Sequence, residues 1–341
     1  MKKRKSNIEL LRIISMMMII ILHFVGPFTQ IEKENINNYY IIHLFESISI
    51  IGVNIFVIIS SYFLFDKKSI KIRKIIDLLS IVLFYGVLFF VVATYFKIKP
   101  YSSKELFLSI LPFWECRRWF VLSYIFLYLL SPYLSKLLNN IDKKSYRNLI
   151  IIMLFFTSIW PSFFKGGLRL DNGYGIISFV TLFTITGFMK RYYDKTKINN
   201  YIFLLITIIC QSIVFILSIT HITNTYWDYN NIFNIIGALS LFIFFKNINI
   251  DSNIINKVST YAFSVFLIHS DFMMSGYFYD KIMHRATIIN DNKLFIYVIV
   301  YTVLTYIACI IIDIIRKFIY KYTIDKLFNK IKIFNKELLC K

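Results

Sequence analysis

The chain has 341 residues, of which 57% are hydrophobic and 17% are charged, and its formal net charge is +20. An ordinary soluble domain has about 25% charged residues, so this composition excludes a typical soluble globular protein. Apolar runs long enough to cross a bilayer recur along the chain, which predicts an all-α, polytopic membrane protein.

The apolar runs predict ten membrane-spanning helices, near residues 8–28, 41–65, 75–96, 119–138, 148–164, 173–189, 201–220, 231–246, 258–278 and 294–315. Most of the 39 Lys and Arg residues lie in the N-terminal segment and in every second connection after it. Because basic connections stay inside, both termini are expected to be cytoplasmic and the protein to be a multi-pass component of the cell membrane.

The basic residues also predict a division of the chain into a membrane domain, residues 1–316, and a cytoplasmic tail, residues 317–341. The tail mixes basic and apolar side chains, which favours an amphipathic helix on the inner leaflet. The expected partners of this positive charge are anionic membrane lipids, and nucleic-acid binding is not needed to explain it.

The first predicted span contains two ionisable side chains, Arg12 and His23. Their spacing of eleven residues is three helical turns plus about 20°, so they share a face and lie about 16 Å apart along the axis. Ionisable groups inside a membrane are costly and mark candidate functional sites. The alternative is that Arg12 extends to the lipid headgroups while His23 packs in the protein core. The shared face favours the functional interpretation.

The second predicted span carries a polar stripe on one helical face, made of Glu46, Ser49, Asn54, Ser60 and Ser61. Because this span runs opposite to the first, Glu46 is expected at the depth of His23 and Ser61 near the depth of Arg12. A carboxylate bonded to an imidazole fixes its tautomer and raises its basicity, as acyl transfer by base catalysis needs. The alternative is a polar network that only joins helices.

The fourth predicted span opens with Arg118, Trp119 and Tyr124 at the outer interface. Aromatic residues there most often anchor a helix among the headgroups, and the functional alternative is a wall on which a sugar stacks. Arg118, with Arg117, would contact either the diphosphate of an acceptor or lipid headgroups. In the ninth span, His269 either lines the same cavity as His23 or makes a structural hydrogen bond.

Other features give simpler predictions. Asp313 and Arg316 are three residues apart at a helix end, which predicts an ion pair. Cysteines stand at four positions without paired or metal-ligand spacing, so neither a disulfide nor a metal site is expected. They are Cys116, Cys210, Cys309 and Cys340.

Four segments resemble, in order and in depth, the landmarks of the acyltransferase family 3 membrane proteins. They are Glu9-x-x-Arg12 with His23, the run Gly52 to Tyr62, the run Arg118 to Pro132, and the run Thr260 to His269. The resemblance covers nearly the whole chain. It implies about ten spans and the transfer of an acyl group, usually acetyl from cytoplasmic acetyl-CoA, to a glycan or another acceptor.

The resemblance also assigns functional roles to Arg12 and His23. The chain departs from the family pattern at two places. Ser60-Ser61-Tyr62 stands where the family usually has Ser-Gly-Tyr or Ser-Gly-Phe, and Arg73 is the one candidate for the family's second arginine motif.

These observations combine into a hypothesis for the site. Acetyl-CoA is expected to bind near Arg12, Arg73 and Ser61, because a planar cationic fork suits phosphate oxygens. The catalytic residues are expected to be His23, as general base on an acceptor hydroxyl, and Glu46, which orients it. The acceptor residues are expected to be Arg118, Trp119, Tyr124 and His269.

The expected acceptor is a cell-envelope or capsular polysaccharide or its lipid-linked precursor, and a partner protein of envelope biosynthesis could take part. The alternative function is a transporter or flippase, in which Arg12, Glu46 and His23 would form a substrate or proton pathway. The chain has only five prolines and no evident similarity between its halves, which argues against a transporter.

Overall fold

The computed structural model describes residues 4–30, 37–111, 113–115, 117–164, 172–193, 198–223, 225–324 and 337–339. Its described part is helical apart from one two-stranded sheet. Seven helical segments are long and apolar enough to cross a membrane. The prediction of an all-α, polytopic membrane protein is therefore confirmed, while the count of ten spans stays a prediction.

The helices take their bounds in chain order. They are α1 (Ser6–Val25), α2 (Tyr39–Ser49), α3 (Gly52–Leu64), α4 (Ile72–Tyr95), α5 (Ser103–Ile110), α6 (Trp119–Asn140), α7 (Lys143–Leu154), α8 (Trp160–Phe163), α9 (Ile176–Tyr192), α10 (Asn200–Thr220), α11 (Ile232–Asn247), α12 (Asn253–Val258), α13 (Ala262–His269), α14 (Arg285–Ile288) and α15 (Leu294–Tyr322). Two 3-10 turns, Gly26–Phe28 and Ser259–Tyr261, and two π-helical turns, Phe155–Ile159 and Tyr277–Ile282, adjoin them.

Two predicted spans differ from the continuous helices that the sequence suggested. The second span is divided into α2 and α3 at Ile50 and Ile51. The ninth consists of α12, a 3-10 turn and α13, and it ends at His269 rather than near residue 278. The side chains of His269 and Ser270 bond back to carbonyls of the last turn, and the Ser270 backbone N–H donates to the same Phe266 carbonyl as its side chain.

The last helix, α15, continues to Tyr322, beyond the predicted end of the membrane domain at residue 316. The predicted ion pair within it is confirmed, since Arg316 Nε lies 2.6 Å from Asp313 Oδ1. Tyr85 of α4 donates a second hydrogen bond to the same carboxylate, at 2.7 Å, and thereby joins α4 to α15.

Beyond α15, the chain returns to the membrane domain as a short strand. Strands β1 (Ser69–Lys71) and β2 (Glu337–Leu339) pair antiparallel, with Ser69 opposite Leu339. Residues 325–336, Cys116 and Cys340 lie outside the described part, so the predicted amphipathic tail helix stays a prediction.

Helix α1 lies at the centre of the bundle and contacts α2, α3, α11, α12, α13 and α15. Its approach to α3 is close because α3 begins with Gly52, where a Cβ atom would lie 2.9 Å from the Ser15 carbonyl oxygen. Small residues allow such backbone contacts between membrane helices. The glycine therefore brings the polar face of α3 against the face of α1 that bears Arg12 and His23.

The side of the bundle on which α1 begins is called the N-terminal side below. Asn7, in the first turn of α1, donates hydrogen bonds to the Phe245 and Lys246 carbonyls at the end of α11. Lys5 Nζ lies 3.4 Å from the Tyr62 hydroxyl, near the end of α3. The ends of α3 and α11 are therefore on the N-terminal side, and His23 lies toward the opposite side.

Candidate active site

The imidazole of His23 is held by two partners from its own and a neighbouring helix. Its Nδ1 atom lies 2.8 Å from the Ile19 carbonyl oxygen, one turn back in α1. The same atom lies 3.3 Å from Nε2 of His269, at the end of α13. The two rings meet edge to face with centroids 5.0 Å apart. His269 therefore makes structural hydrogen bonds, to His23 and to the Val265 carbonyl, and it is not among the described residues that line a cavity with His23.

These contacts assign the protons of both imidazoles. A carbonyl oxygen can only accept a hydrogen bond, so the Nδ1 atom of His23 must carry the proton in its bond to the Ile19 carbonyl. The same holds for His269, whose Nδ1 lies 2.6 Å from the Val265 carbonyl oxygen. His269 Nε2 is then an acceptor that shares the His23 proton. In the neutral imidazole, this arrangement leaves Nε2 of His23 without a proton, which is the form that a general base requires.

His23 lines a cavity of about 150 Å³, called the His23 cavity. Trp119 and two tyrosines, Tyr174 and Tyr229, form part of its wall. The Trp119 ring lies 4.6 Å from that of Tyr174 and 5.9 Å from that of Tyr229, centroid to centroid. Trp119 is thus packed inside the bundle beside the imidazole, which favours the predicted stacking wall over a membrane-interface anchor.

The two tyrosines come from loops that the structure holds together. Gly173 adopts φ +94°, and a Cβ atom there would lie 2.6 Å from both the Asn230 nitrogen and the Tyr229 Cβ. Tyr229 donates its backbone N–H to the Asn172 carbonyl at 3.0 Å, and its own carbonyl accepts from Asn54 of α3 at 2.7 Å. Glycine is thus required for the close approach of the two loops.

Glu46 is buried, but it does not bond to His23. Its Oε2 atom has no hydrogen-bond partner among the described residues. Its carboxylate faces Gly26, where a Cβ atom would lie 3.5 Å from Oε1. Gly26 is three residues beyond His23, or about 4.5 Å along the helix axis. The predicted bond between Glu46 and His23 is therefore wrong, because α2 packs against the end of α1 where glycine leaves room.

Arg12 lines a second and larger cavity of about 420 Å³, called the Arg12 cavity. Its guanidinium carbon lies 5.6 Å from the centre of the Phe56 ring, and its Nε atom lies 3.1 Å from Glu9 Oε2. Neither Nη group of Arg12 bonds a described protein residue. Arg4 and Lys74 add two further cations to the wall and Glu9 and Asp77 add two carboxylates, so the charged lining residues are positive in sum. The cavity therefore suits an anionic ligand.

At two positions, the residue that lines the Arg12 cavity is the sequence neighbour of the residue predicted to bind the donor. Lys74 lines the Arg12 cavity, whereas Arg73 is not among its described lining residues and pairs with Asp77 at 2.7 Å. Residues 74, 77, 78 and 81 follow the spacing of one helical face, and Arg73 lies 100° away from Lys74. Lys74 is thus the described α4 cation that lines the cavity, and the donor-binding role of Arg73 stays a prediction.

Similarly, Ser60 lines the Arg12 cavity, and its hydroxyl donates to the Phe56 carbonyl at 2.9 Å. Ser61 points away: it is fully buried and its hydroxyl has no partner in the described part of the chain. Ser61 is thus not among the described residues that line the Arg12 cavity, and its role in binding the donor stays a prediction.

Tyr124 was predicted on the acceptor side, but it lines the Arg12 cavity. Tyr124 follows Trp119 by five residues, or about 7.5 Å of helix. It therefore lies closer to the N-terminal side than the His23 cavity does. Tyr128, one turn further, lines the Arg12 cavity too, and its hydroxyl accepts from the Lys71 backbone N–H at 2.9 Å.

Arg118 was also predicted to bind the acceptor, but the structure commits it to the protein. Its guanidinium donates to the Asp271 carboxylate, and the two side chains are only 7% and 4% exposed. Arg117 pairs with Glu105 at 2.6 Å instead. Neither arginine is among the described residues that line the His23 or Arg12 cavity. Arg118 therefore joins the start of α6 to the segment after α13.

Three phenylalanines, Phe56, Phe120 and Phe263, line both cavities. We call them the phenylalanine partition. Phe56 and Phe120 meet edge to face with centroids 5.8 Å apart. The His23 cavity and the Arg12 cavity therefore adjoin, with the cationic groups on the N-terminal side of the partition and the imidazole on the other.

Sequence reasoning missed Tyr174, Tyr229 and the partition. The glycine at position 173 was the available signal for the first two, since glycine permits the positive φ and the close backbone approach that the structure shows there. Apolar residues such as Phe263 give no comparable signal, because every span of this chain is rich in them.

Comparison with known proteins supplies the family. The acyltransferase domain model of acyltransferase family 3 matches residues 5–314, which is nearly the entire chain. Neither a curated protein nor a solved structure matches this chain. The match includes α1 with Arg12 and His23 and every helix that lines the two cavities. The chain therefore belongs to acyltransferase family 3, and it is a multi-pass membrane acyltransferase.

Proposed function

We propose that this acyltransferase transfers an acetyl group from cytoplasmic acetyl-CoA to a hydroxyl group of a cell-envelope or capsular polysaccharide or of its lipid-linked precursor. The observation that supports this most is the pair of adjoining cavities, one with a positively charged lining and one lined by the imidazole of His23. In this proposal the N-terminal side faces the cytoplasm, as its basic residues favour.

The donor would enter from the N-terminal side. Arg12 and Lys74 would bind its phosphate or amide oxygens, and the thioester would reach the phenylalanine partition. Because the wall there is aromatic and apolar, it excludes water that would otherwise hydrolyse the thioester. Free CoA would then leave by the same side without crossing the membrane.

The acceptor would enter the His23 cavity and stack on Trp119 and the two tyrosines. His23 Nε2 would take the proton of the acceptor hydroxyl as its oxygen attacks the thioester carbonyl carbon. The new C–O bond forms, the C–S bond breaks, and the imidazolium returns its proton to the CoA thiolate. His269 would keep the Nδ1 proton of His23 in place during this exchange, as a positioning residue.

The proposal is tested by the envelope glycans of cells with and without the gene. Deletion should remove an acetyl-sized mass increment from one glycan class in mass spectra, and complementation should restore it. Identical glycan masses in both strains, with the protein present in the wild-type membrane, would contradict the proposed acceptor class.

A further inference from the structure

A third cavity, of about 600 Å³, opens on the N-terminal side beside the end of α3, α6 and α9. We call it the lysine cavity. Five cationic side chains line it, and Asp66 is the only carboxylate among its described lining residues. The cations are Lys67, Lys68, Lys136, Lys190 and Arg191.

The lysine cavity continues the row that the other two cavities form along α6. This helix contributes Trp119 to the His23 cavity, Tyr128 to the Arg12 cavity and Ser135 to the lysine cavity. Trp119 and Ser135 are sixteen residues apart, which is about 24 Å of helix. The three cavities therefore follow one another along α6, from the imidazole to the lysines.

The lysine cavity and the Arg12 cavity meet at two lysines. Lys67 lines the former and interacts with Lys74, which lines the latter. Burial, together with Lys74 and Lys71, lowers the pKa of Lys67 to about 8. Like charges held this close repel one another, and a bound polyanion would relieve that repulsion.

Part of the cavity wall is already fixed in position. Lys190 Nζ donates to the Asp66 carboxylate and lies 4.4 Å from the centre of the Tyr62 ring. Arg191 donates to the Leu138 carbonyl near the end of α6 at 2.9 Å. In addition, the hydroxyl of Ser135 is buried without a hydrogen-bond partner among the described residues. The wall therefore offers oriented donors beside Lys67 and Lys68.

We infer that the lysine cavity binds the phosphorylated nucleotide of coenzyme A, while the pantetheine arm extends through the Arg12 cavity to the phenylalanine partition. This inference rests on the proposed function. It places the phosphates, which carry most of the donor's negative charge, in the lysine cavity, which has more cationic lining residues than the other two cavities. A phosphate-bearing lipid headgroup has the same chemistry, and the experiment separates the two sources.

The test compares two thioester donors, acetyl-CoA and acetyl-pantetheine, which lacks the nucleotide. The variant is Lys67→Gln with Lys68→Gln, in purified full-length protein in neutral-lipid vesicles. The ratio of kcat/KM for acetyl-CoA to that for acetyl-pantetheine should fall about tenfold or more, because charge-assisted contacts to phosphate are lost. The matched control is Lys143→Gln with Lys144→Gln, which removes the same charge at the start of α7 and should keep the wild-type ratio.

An unchanged ratio in the lysine-cavity variant would overturn the inference. A fall that occurs only in vesicles containing phosphatidylglycerol would overturn it in favour of a lipid headgroup.

Calorimetric binding of free CoA gives a readout that does not require catalysis. Wild-type protein should bind CoA, and the lysine-cavity variant should bind it about tenfold more weakly or worse. If wild type binds CoA in this way but transfers no acetyl group, the cavity assignment stands and the proposed function fails. Equal CoA binding by both proteins would refute the assignment.

Discussion

Loss of Arg118 should destabilise the protein rather than weaken its binding of acceptor. The Arg118 guanidinium and the Asp271 carboxylate are 7% and 4% exposed, so Arg118→Ala would leave a buried carboxylate without its cation. Removing one partner of a buried pair costs about 3–5 kcal/mol. Replacing both partners with apolar side chains of similar volume is often neutral or stabilising. We therefore expect Arg118→Met with Asp271→Leu to recover most of the free energy lost in either single variant.

The assay is a double-mutant cycle measured by equilibrium unfolding in mixed detergent micelles. We expect the two changes to be coupled by about 2 kcal/mol or more, since the groups are in direct contact. The matched control is Lys104→Ala, which removes an exposed ion pair with Glu115 whose side chains are 69% and 37% exposed. Such a pair contributes about 1 kcal/mol or less.

The same variants distinguish a structural role from acceptor binding. If Arg118 acts only through Asp271, the double variant should keep a near-normal KM for the acceptor. A double variant that is stable but has lost acceptor binding would refute this reasoning and restore Arg118 as a contact residue.

Three further predictions concern the cavities. Arg12→Lys keeps the charge but loses the planar guanidinium, so it should raise the KM for acetyl-CoA more than the KM for the acceptor. Arg12→Ala should raise the KM for acetyl-CoA further. Equal binding of acetyl-CoA by Arg12→Ala and by the wild type would disprove the contact. Glu46→Gln should leave most of the transfer rate, because this carboxylate does not contact His23; a rate as low as that of a His23 variant would show that Glu46 takes part directly. Trp119→Leu should raise the KM for the acceptor about tenfold through lost stacking, with no matching change for acetyl-CoA; an unchanged acceptor KM would favour a packing role.

The fold class and the shared face of Arg12 and His23 were predicted correctly from the sequence. Arg12 and His23 project from one face of α1 and line adjoining cavities. This succeeded because the spacing of two residues within one unbroken helix fixes their relative direction. Ionisable residues in an apolar span are also rare enough to stand out.

Other assignments differ from the structure where they depended on the relation between helices. The helical wheel placed both Ser60 and Ser61 on the polar stripe, and it could not decide which of these neighbours lines the Arg12 cavity, where the structure has Ser60. Arg118 looked available because its partner, Asp271, is 153 positions away in the chain. Tyr229 reaches the site through a loop, and no periodic pattern predicts the path of a loop.

The central claim is that His23 Nε2 is the general base at the junction of the two cavities. The most direct test is the acetyl-transfer rate of purified His23→Gln protein at saturating acetyl-CoA, with His284→Asn as the control. His284 is exposed at φ +52°, a conformation that asparagine tolerates, so the control should transfer at the wild-type rate. The account predicts that His23→Gln assembles normally and binds acetyl-CoA, yet transfers about 10²–10⁴-fold more slowly. A correctly assembled His23→Gln enzyme with a near-normal rate would contradict it.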